Sequence, residues 1–215
     1  MKKGFVFDLD GVITDTAKFH YIAWKNLAAE LGITIDEQFN ETLKGISRMD
    51  SLDRILAFGK RENAFSAAEK ATLAQKKNDH YIELLANLSA ADLLPGVHEF
   101  LMQAQQRKIP CAVASASKNA PMILTKLGVM DLFAHIVDPA TLTHSKPHPE
   151  IFIKAAESIH VAPEEAIGFE DAQSGINGLK AAGIYAVGIS TDVLAGADLQ
   201  VKDMTELSID ALLKQ

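Results

Sequence analysis

The sequence predicts an α/β protein: an open parallel sheet flanked by helices and interrupted near its start by an all-helical insert. Three observations lead there. A short apolar run opens the chain and ends in Asp-x-Asp-Gly. From residue 95 onward, helical periodicity alternates with further short apolar runs. Between the two, residues 16–89 carry helical patterns and no strand-like run. Strands that are apolar throughout belong to sheets covered on both faces, and their alternation with helices marks a parallel, crossover-connected sheet.

The elements follow in order. The first strand is predicted over residues 4–9. A helix over 16–31 places Phe19, Ile22, Ala23, Leu27 and Leu31 on one face, and Gly32 stands where a left-handed residue ends it. Helices over 48–58 and 66–88 come next, the second opened by Ser66-Ala67-Ala68-Glu69, a capping box. Beyond Pro95, helices at 96–107, 120–127, 149–159 and 172–182 alternate with strands at 109–114, 134–137, 166–169 and 185–189. The first strand joins the later ones in a single sheet. Residues 1–14 and 90–215 are therefore expected to form the core, and 15–89 an inserted helical cap subdomain.

Composition narrows the function. The chain has 215 residues, 48% hydrophobic and 23% charged, enough to bury a core without staples. A net charge of -7 argues against a nucleic-acid footprint or a polybasic membrane patch, and it obliges any anionic substrate to meet locally placed cations. No apolar stretch approaches the roughly 20 residues needed to span a bilayer. The single cysteine, Cys111, lies in the apolar run 109–114 and is expected to pack in the core. One cysteine builds neither a disulfide framework nor a Cys-rich zinc site, and with a strand predicted within a few residues of the first methionine no signal peptide is expected. A cytoplasmic protein is expected.

Open parallel sheets bind ligands beyond the carboxyl ends of their strands. That rule gathers Asp8 and Asp10, then Ser115-Ala116-Ser117-Lys118-Asn119, then Ser145-Lys146-Pro147, then Glu170-Asp171. Carboxylates at the mouth of a buried strand are costly unless a metal, a proton or a hydrogen bond offsets them. Asp8, Asp10, Glu170 and Asp171 would repel one another, and a hard cation with oxygen ligands, Mg²⁺, relieves this while sharing a phosphate. The competing reading makes Glu170-Asp171 solvated acids that cap the next helix. Ser115 and the amides beside it form a candidate phosphate cradle, with Asn119 placed to cap the helix that follows; the alternative is a plain Asn-capped turn. Lys146 is restricted by Pro147, through a bond that proline allows to be cis; the alternative is a surface lysine. No P-loop, G-x-G-x-x-G, G-x-S-x-G or H-E-x-x-H pattern occurs.

Four motifs, Asp8-Leu9-Asp10-Gly11-Val12, Ser115-Ala116-Ser117, Lys146-Pro147 and Gly168-Phe169-Glu170-Asp171, run in order along essentially the whole chain and resemble the haloacid dehalogenase superfamily of phosphotransferases. The helical insert resembles that superfamily's first type of cap. The resemblance implies a Rossmann-like core in which Asp8 is the nucleophile and carries an aspartyl phosphate. It implies that Asp10 is the general acid and base, and that the transferring phosphoryl group is held by Ser115, Lys146 and the amides of Leu9 and Ala116. Mg²⁺ would sit on Asp8, Glu170, Asp171 and the Asp10 carbonyl.

Asp15-Thr16 with His20 and Trp24, the segment 43–51, and Ala114-Ser115-Ala116-Ser117-Lys118-Asn119 narrow the resemblance to the superfamily's hexose-phosphate mutases. This implies substrate contacts at Thr16, His20, Trp24, Gly45, Arg48, Ser51, Lys76, Ser117, Lys118 and Asn119. Arg48 and Ser51 would hold the phosphate at the far end of the sugar, and Lys76 would couple to His20 and substrate entry. Met49 stands where an acidic residue would be unsurprising. The implied reaction converts β-glucose 1-phosphate into glucose 6-phosphate through glucose 1,6-bisphosphate, which also serves as activator. The rivals are a phosphatase of the same superfamily and a non-catalytic sugar-phosphate-binding protein. A monomer with a phosphosugar as its only partner is expected.

Overall fold

The computed structural model describes residues 2–215. The chain divides into two compact units, one formed by the residues up to Asp15 together with Leu88–Gln215, the other by Thr16–Asn87.

The first unit is built on a six-stranded, all-parallel sheet in the order β3-β2-β1-β4-β5-β6. Its strands are β1 (Gly4–Phe7), β2 (Cys111–Val113), β3 (His135–Ile136), β4 (Ala166–Glu170), β5 (Tyr185–Ile189) and β6 (Leu199–Val201). The register pairs Phe5 with Cys111 and Ile167, and Phe7 with Val113 and Phe169. Side chains alternate across a strand, and the two faces of β1 show it. Phe5 and Phe7 meet Phe100 and Phe169, with the Phe7 and Phe169 rings stacked at 4.6 Å. Val6 belongs to the opposite face and packs in a cluster with Phe152, Ile176 and Leu179.

Among these partners Phe100 comes from α5 (Val97–Gln106), Phe152 from α7 (Glu150–Ser158) and Ile176 and Leu179 from α8 (Gln173–Ala181); α6 (Ala120–Lys126) and α9 (Ile209–Leu212) are the unit's other helices, all numbered after the four of the other unit in chain order. The strand order reverses at β1, which has β2 on one side and β4 on the other, so the crevice between the ends of β1 and β4 is the natural ligand position. Cys111 is buried in the core, and burial pushes its thiol up to about 12.

The second unit contains α1 (Ala17–Glu30), α2 (Glu37–Glu41), α3 (Arg48–Phe58) and α4 (Ala67–Leu84) and no strand among its described residues. Helix α1 ends as its sequence indicates: Gly32 has φ 70, and the Gly32 and Ile33 amides donate to Ala29 and Ala28. The capping box opens α4, with the Ser66 amide donating to Glu69 Oε2 at 2.8 Å and the Glu69 amide to Ser66 Oγ at 3.3 Å. A core of Trp24, Leu27, Ile35, Leu52, Ile55 and Leu56 holds the helices together.

Three elements were not anticipated: β6, α2 and α9. Helix α4 also stops at Leu84 instead of 88, because the chain turns at Leu85–Ala86 before Ser89 opens a short 3-10 turn.

Candidate active site

The core unit gathers its polar groups at the ends of β1 and β4. The sheet ladder continues one residue past β1, since the Asp8 amide donates to Phe169 O at 3.0 Å. The chain then turns tightly. Leu9 O accepts from the Ile13 and Thr14 amides at 2.9 and 3.2 Å, and the Gly11 amide donates to Thr14 O at 2.9 Å. Gly11 has φ +81, and a Cβ on it would lie 2.1 Å from Asp171 Oδ2. Only glycine lets this turn press against Asp171.

Asp8, Glu170 and Asp171 each present a carboxylate oxygen within 4.8 Å of the others'. Lys146 reaches the same point from the segment before α7. Its Nζ donates to Asp8 Oδ1 at 2.7 Å and to Glu170 Oε1 at 2.5 Å, and it lies over the Phe152 ring. The Lys146-Pro147 bond is cis. Lys146 is buried, so the surface-lysine alternative does not hold.

The electrostatics follow from burial. Desolvation opposes charge on Lys146, yet the Asp8 and Glu170 carboxylates outweigh it and raise the ammonium's pKa above its ordinary value. Burial pushes Glu170 up to about 7, with Asp8 adding to the effect and Lys146 opposing it. Three carboxylates thus converge on one ammonium, an excess of negative charge presented by oxygen donors alone. That donor set suits a hard divalent cation such as Mg²⁺ better than a soft one.

Glu170 does a second job. Its Oε2 accepts from the Asp171 and Ala172 amides at 3.1 and 3.2 Å, at the entrance to α8. Those two amides precede α8, whose N-cap residue is Ala172 and has no side-chain capping bond, and Glu170 is fully buried, so the reading of this pair as solvated helix caps does not hold.

Ser115, just past β2, is buried, and its Oγ accepts from the Ser117 amide at 3.1 Å, which leaves its own proton to donate. Ser117 Oγ in turn accepts from the Asn119 amide at 3.2 Å. Asn119 occupies the N-cap position of α6 but makes no side-chain capping bond, contrary to expectation. The serine hydroxyls organise this turn, and Lys118 is exposed beside it.

The helical unit holds a second constellation. His20 and Trp24 stand one turn apart on α1; Lys77, Asn78 and Tyr81 lie on α4. The Lys77 ammonium lies 2.6 Å from His20 Nδ1 and 4.7 Å from the centroids of both the Trp24 and Tyr81 rings. The His20 and Tyr81 rings stack at 3.9 Å. Burial, then the charge on Lys77, hold His20 well below the usual histidine range.

Lys76 was expected to couple to His20. It does not: its side chain is exposed and paired with Glu30, and the neighbouring Lys77 makes the contact. Successive helical residues point about 100° apart, so only one of two adjacent lysines can face α1.

Arg48, half-buried at the start of α3, donates from Nη2 to Asn78 Oδ1 at 2.6 Å. Ser51 is buried one turn later with its hydroxyl on Ser47 O at 2.9 Å. Gly45 has φ 73 in the turn before α3. Thr16, buried at the N-cap of α1, has an Oγ1 without a hydrogen-bond partner. Sequence reasoning missed Lys77, Asn78 and Tyr81. Their i, i+1, i+4 spacing opposite His20 and Trp24 is the signal that could have found them.

A family model described as haloacid dehalogenase-like hydrolase matches residues 2–183. A β-phosphoglucomutase of Bacillus subtilis is 45% identical over 98% of this chain and 93% of its own length. A validoxylamine A 7'-phosphate phosphatase of Streptomyces hygroscopicus is 31% identical, covering 96% of each chain. Among solved structures, a β-phosphoglucomutase from Clostridium difficile superposes with a TM-score of 0.97 at 44% identity, covering all of this chain and 96% of that one.

Proposed function

The chain belongs to the haloacid dehalogenase-like hydrolase family, and from that premise we propose that it is a β-phosphoglucomutase, interconverting β-glucose 1-phosphate and glucose 6-phosphate. The observation that carries the reading is likeness to a β-phosphoglucomutase along nearly the full length of both chains, helical insert included.

The residues suit the chemistry. The Asp8 carboxylate attacks phosphorus, the bond to the sugar oxygen breaks, and an aspartyl phosphate results. Asp10 gives a proton to the leaving sugar oxygen in one direction and takes it from the sugar hydroxyl in the other. Lys146 and Ser115, with the amides of Leu9 and Ala116, hold the phosphoryl oxygens and offset their charge. Mg²⁺, held by Asp8, Glu170, Asp171 and the Asp10 carbonyl, would supply further charge neutralisation on the transferring group.

Returning the phosphoryl group to a different oxygen requires a bisphosphate that presents either end, glucose 1,6-bisphosphate. The phosphate not being transferred then needs its own grip. Arg48 is suited to it, since a guanidinium binds phosphate bidentately and Asn78 orients it. Ser51, Thr16, Gly45, Ser117, Lys118 and Asn119 complete the proposed substrate contacts. His20, Trp24 and Lys77 form the buried cationic cluster of the helical unit, Lys77 taking the part first assigned to Lys76. Action in the cytoplasm fits a single, unbridged and buried cysteine; no described helix is long and apolar enough to cross a membrane, and a monomer remains the proposed state.

The test is a single incubation with Mg²⁺, β-glucose 1-phosphate and a trace of glucose 1,6-bisphosphate, following glucose 6-phosphate and free phosphate together. Rapid glucose 6-phosphate with little free phosphate is expected. Dominant free phosphate would make the protein a sugar-phosphate phosphatase; the 31% identical relative is itself named a phosphatase, of validoxylamine A 7'-phosphate.

A further inference from the structure

The segment that carries Lys146 has an outer side with chemistry of its own. His144 and His148 flank Lys146-Pro147, and Glu150 opens α7 two residues later. One ligand atom from each of these three side chains lies within 4.8 Å of the other two. The two imidazole rings are stacked with centroids 4.1 Å apart. His144 Nδ1 is 3.3 Å from Glu150 Oε2. Two ligands bound to one tetrahedral ion at about 2.0–2.1 Å stand roughly 3.3–3.4 Å apart, so this pair is already spaced as a chelate.

The carboxylate is held in place. The Thr143 amide donates to both of its oxygens at 3.1 Å, the His144 amide donates to Oε2 at 2.9 Å, and Lys154 lies 2.9 Å from Oε1, so Oε2 is the oxygen that faces His144. His148 Nδ1 accepts the Glu150 amide at 3.2 Å, a long bond that competes weakly with a metal. Both histidines are exposed, which leaves open coordination positions to water.

We propose that His144, His148 and Glu150 form a surface site for a divalent transition-metal ion, separate from the acidic cluster of Asp8, Glu170 and Asp171. Two imidazoles and one carboxylate favour Zn²⁺, Co²⁺, Ni²⁺ or Cu²⁺ over Mg²⁺, the reverse of the all-oxygen cluster. An ion here clamps both ends of the turn that presents Lys146, so occupancy also stiffens that turn. The inference does not depend on which phosphate ester the protein uses.

The experiment is done on the full chain in excess Mg²⁺, which keeps the acidic cluster filled. Zn²⁺ is titrated by calorimetry, and Cu²⁺ at one equivalent is examined by electron paramagnetic resonance. One tight Zn²⁺ site and nitrogen hyperfine structure on Cu²⁺ are expected in the parent. His144→Ala/His148→Ala, at exposed positions that tolerate truncation, is expected to weaken Zn²⁺ at least tenfold and to remove the nitrogen signal. The parent is further expected to melt higher with Zn²⁺ than without, and the double variant to show no such rise. Zn²⁺ affinity that falls less than tenfold in the double variant, or a nitrogen signal that survives in it, overturns the proposal.

Discussion

At the scale of single residues, two adjacent lysines do unlike things. Lys76 is solvent-facing, and its pair with Glu30 is of the exposed kind, worth about 0–1 kcal/mol. Lys77 is desolvated between two aromatic rings, each such contact being worth about 0.5–2 kcal/mol. Lys77→Met is therefore expected to destabilise the helical unit by on the order of 2 kcal/mol and to raise the pKa of His20, read by NMR titration; Lys76→Ala changes neither. Residue type alone could not separate the two, because helical phase is fixed only when α4 packs on α1. Asp8 and Glu170 were legible because each puts a charge at the end of an apolar strand; Lys146 was legible from its place before Pro147 and from the order of the motifs, and its burial was not. Two further substitutions bear on the chemistry. Asp10→Asn is expected to keep Mg²⁺ affinity by calorimetry while slowing transfer to and from the sugar by about 10²- to 10⁴-fold. Arg48→Ala should cripple bisphosphate turnover while leaving phosphorylation of Asp8 by a small phosphodonor nearly intact; equal bisphosphate turnover in parent and variant would refute its phosphate-binding role.

At the scale of elements, strong periodicity was readable and short pieces were not. The buried strands β1, β4 and β5 and the amphipathic helices α1, α3 and α8 carry enough apolar positions to declare themselves. Strand β6 is three residues with Gln200 in the middle, and it exists because β5 offers it a ladder. Helix α2 has no buried residue; beyond its Asp36 cap it is held by Phe39, whose ring meets Phe58 at 4.3 Å and packs on the core of the helical unit. Tertiary partners make such elements, and local sequence cannot announce them. Helix α8 shows the opposite, a helix whose composition is dictated by a neighbour. Gly175 sits so close to β4 that a Cβ would lie 1.9 Å from the Glu170 carboxyl. Gly175→Ala is expected to cost about 1–3 kcal/mol, as overpacking does, and to displace Glu170 from Lys146. Calorimetry should then show weakened Mg²⁺ binding, a loss that an ordinary surface Gly→Ala in a helix would not produce.

At the scale of the molecule, a single parallel sheet that includes the first strand and the insertion of one helical unit after that strand were readable; the order of strands across the sheet was not predicted. One apolar strand precedes a long strand-free stretch, and parallel strands require crossovers. The boundaries of the long helix were not, since chain ends of helices fray into turns. The two units are also expected to answer pH in opposite directions. Burial raises Glu170 to about 7, so between its unfolded value and about 7 the folded core unit binds a proton that the unfolded chain does not, and its stability falls as pH rises. His20 is held below its ordinary value, so the unfolded helical unit takes a proton first, and stability there is lost as pH falls below about 6.5. Hydrogen exchange read by mass spectrometry from pH 5 to 7, with chelator present, should show protection falling in β4 and rising in α1 and α4. Added Mg²⁺, which binds the ionised carboxylates, should abolish the first trend and spare the second.

The enclosure of Trp24 has an optical consequence. It is the chain's one tryptophan, and it lies in the helical unit with an ammonium over its ring. Excitation at the red edge of indole absorption therefore reports on that unit alone, with blue-shifted emission while it is folded. Circular dichroism reads every helix of both units. Recording the two signals on one melting sample turns a native side chain into a built-in label, and any gap between the two curves measures how independently the insert unfolds.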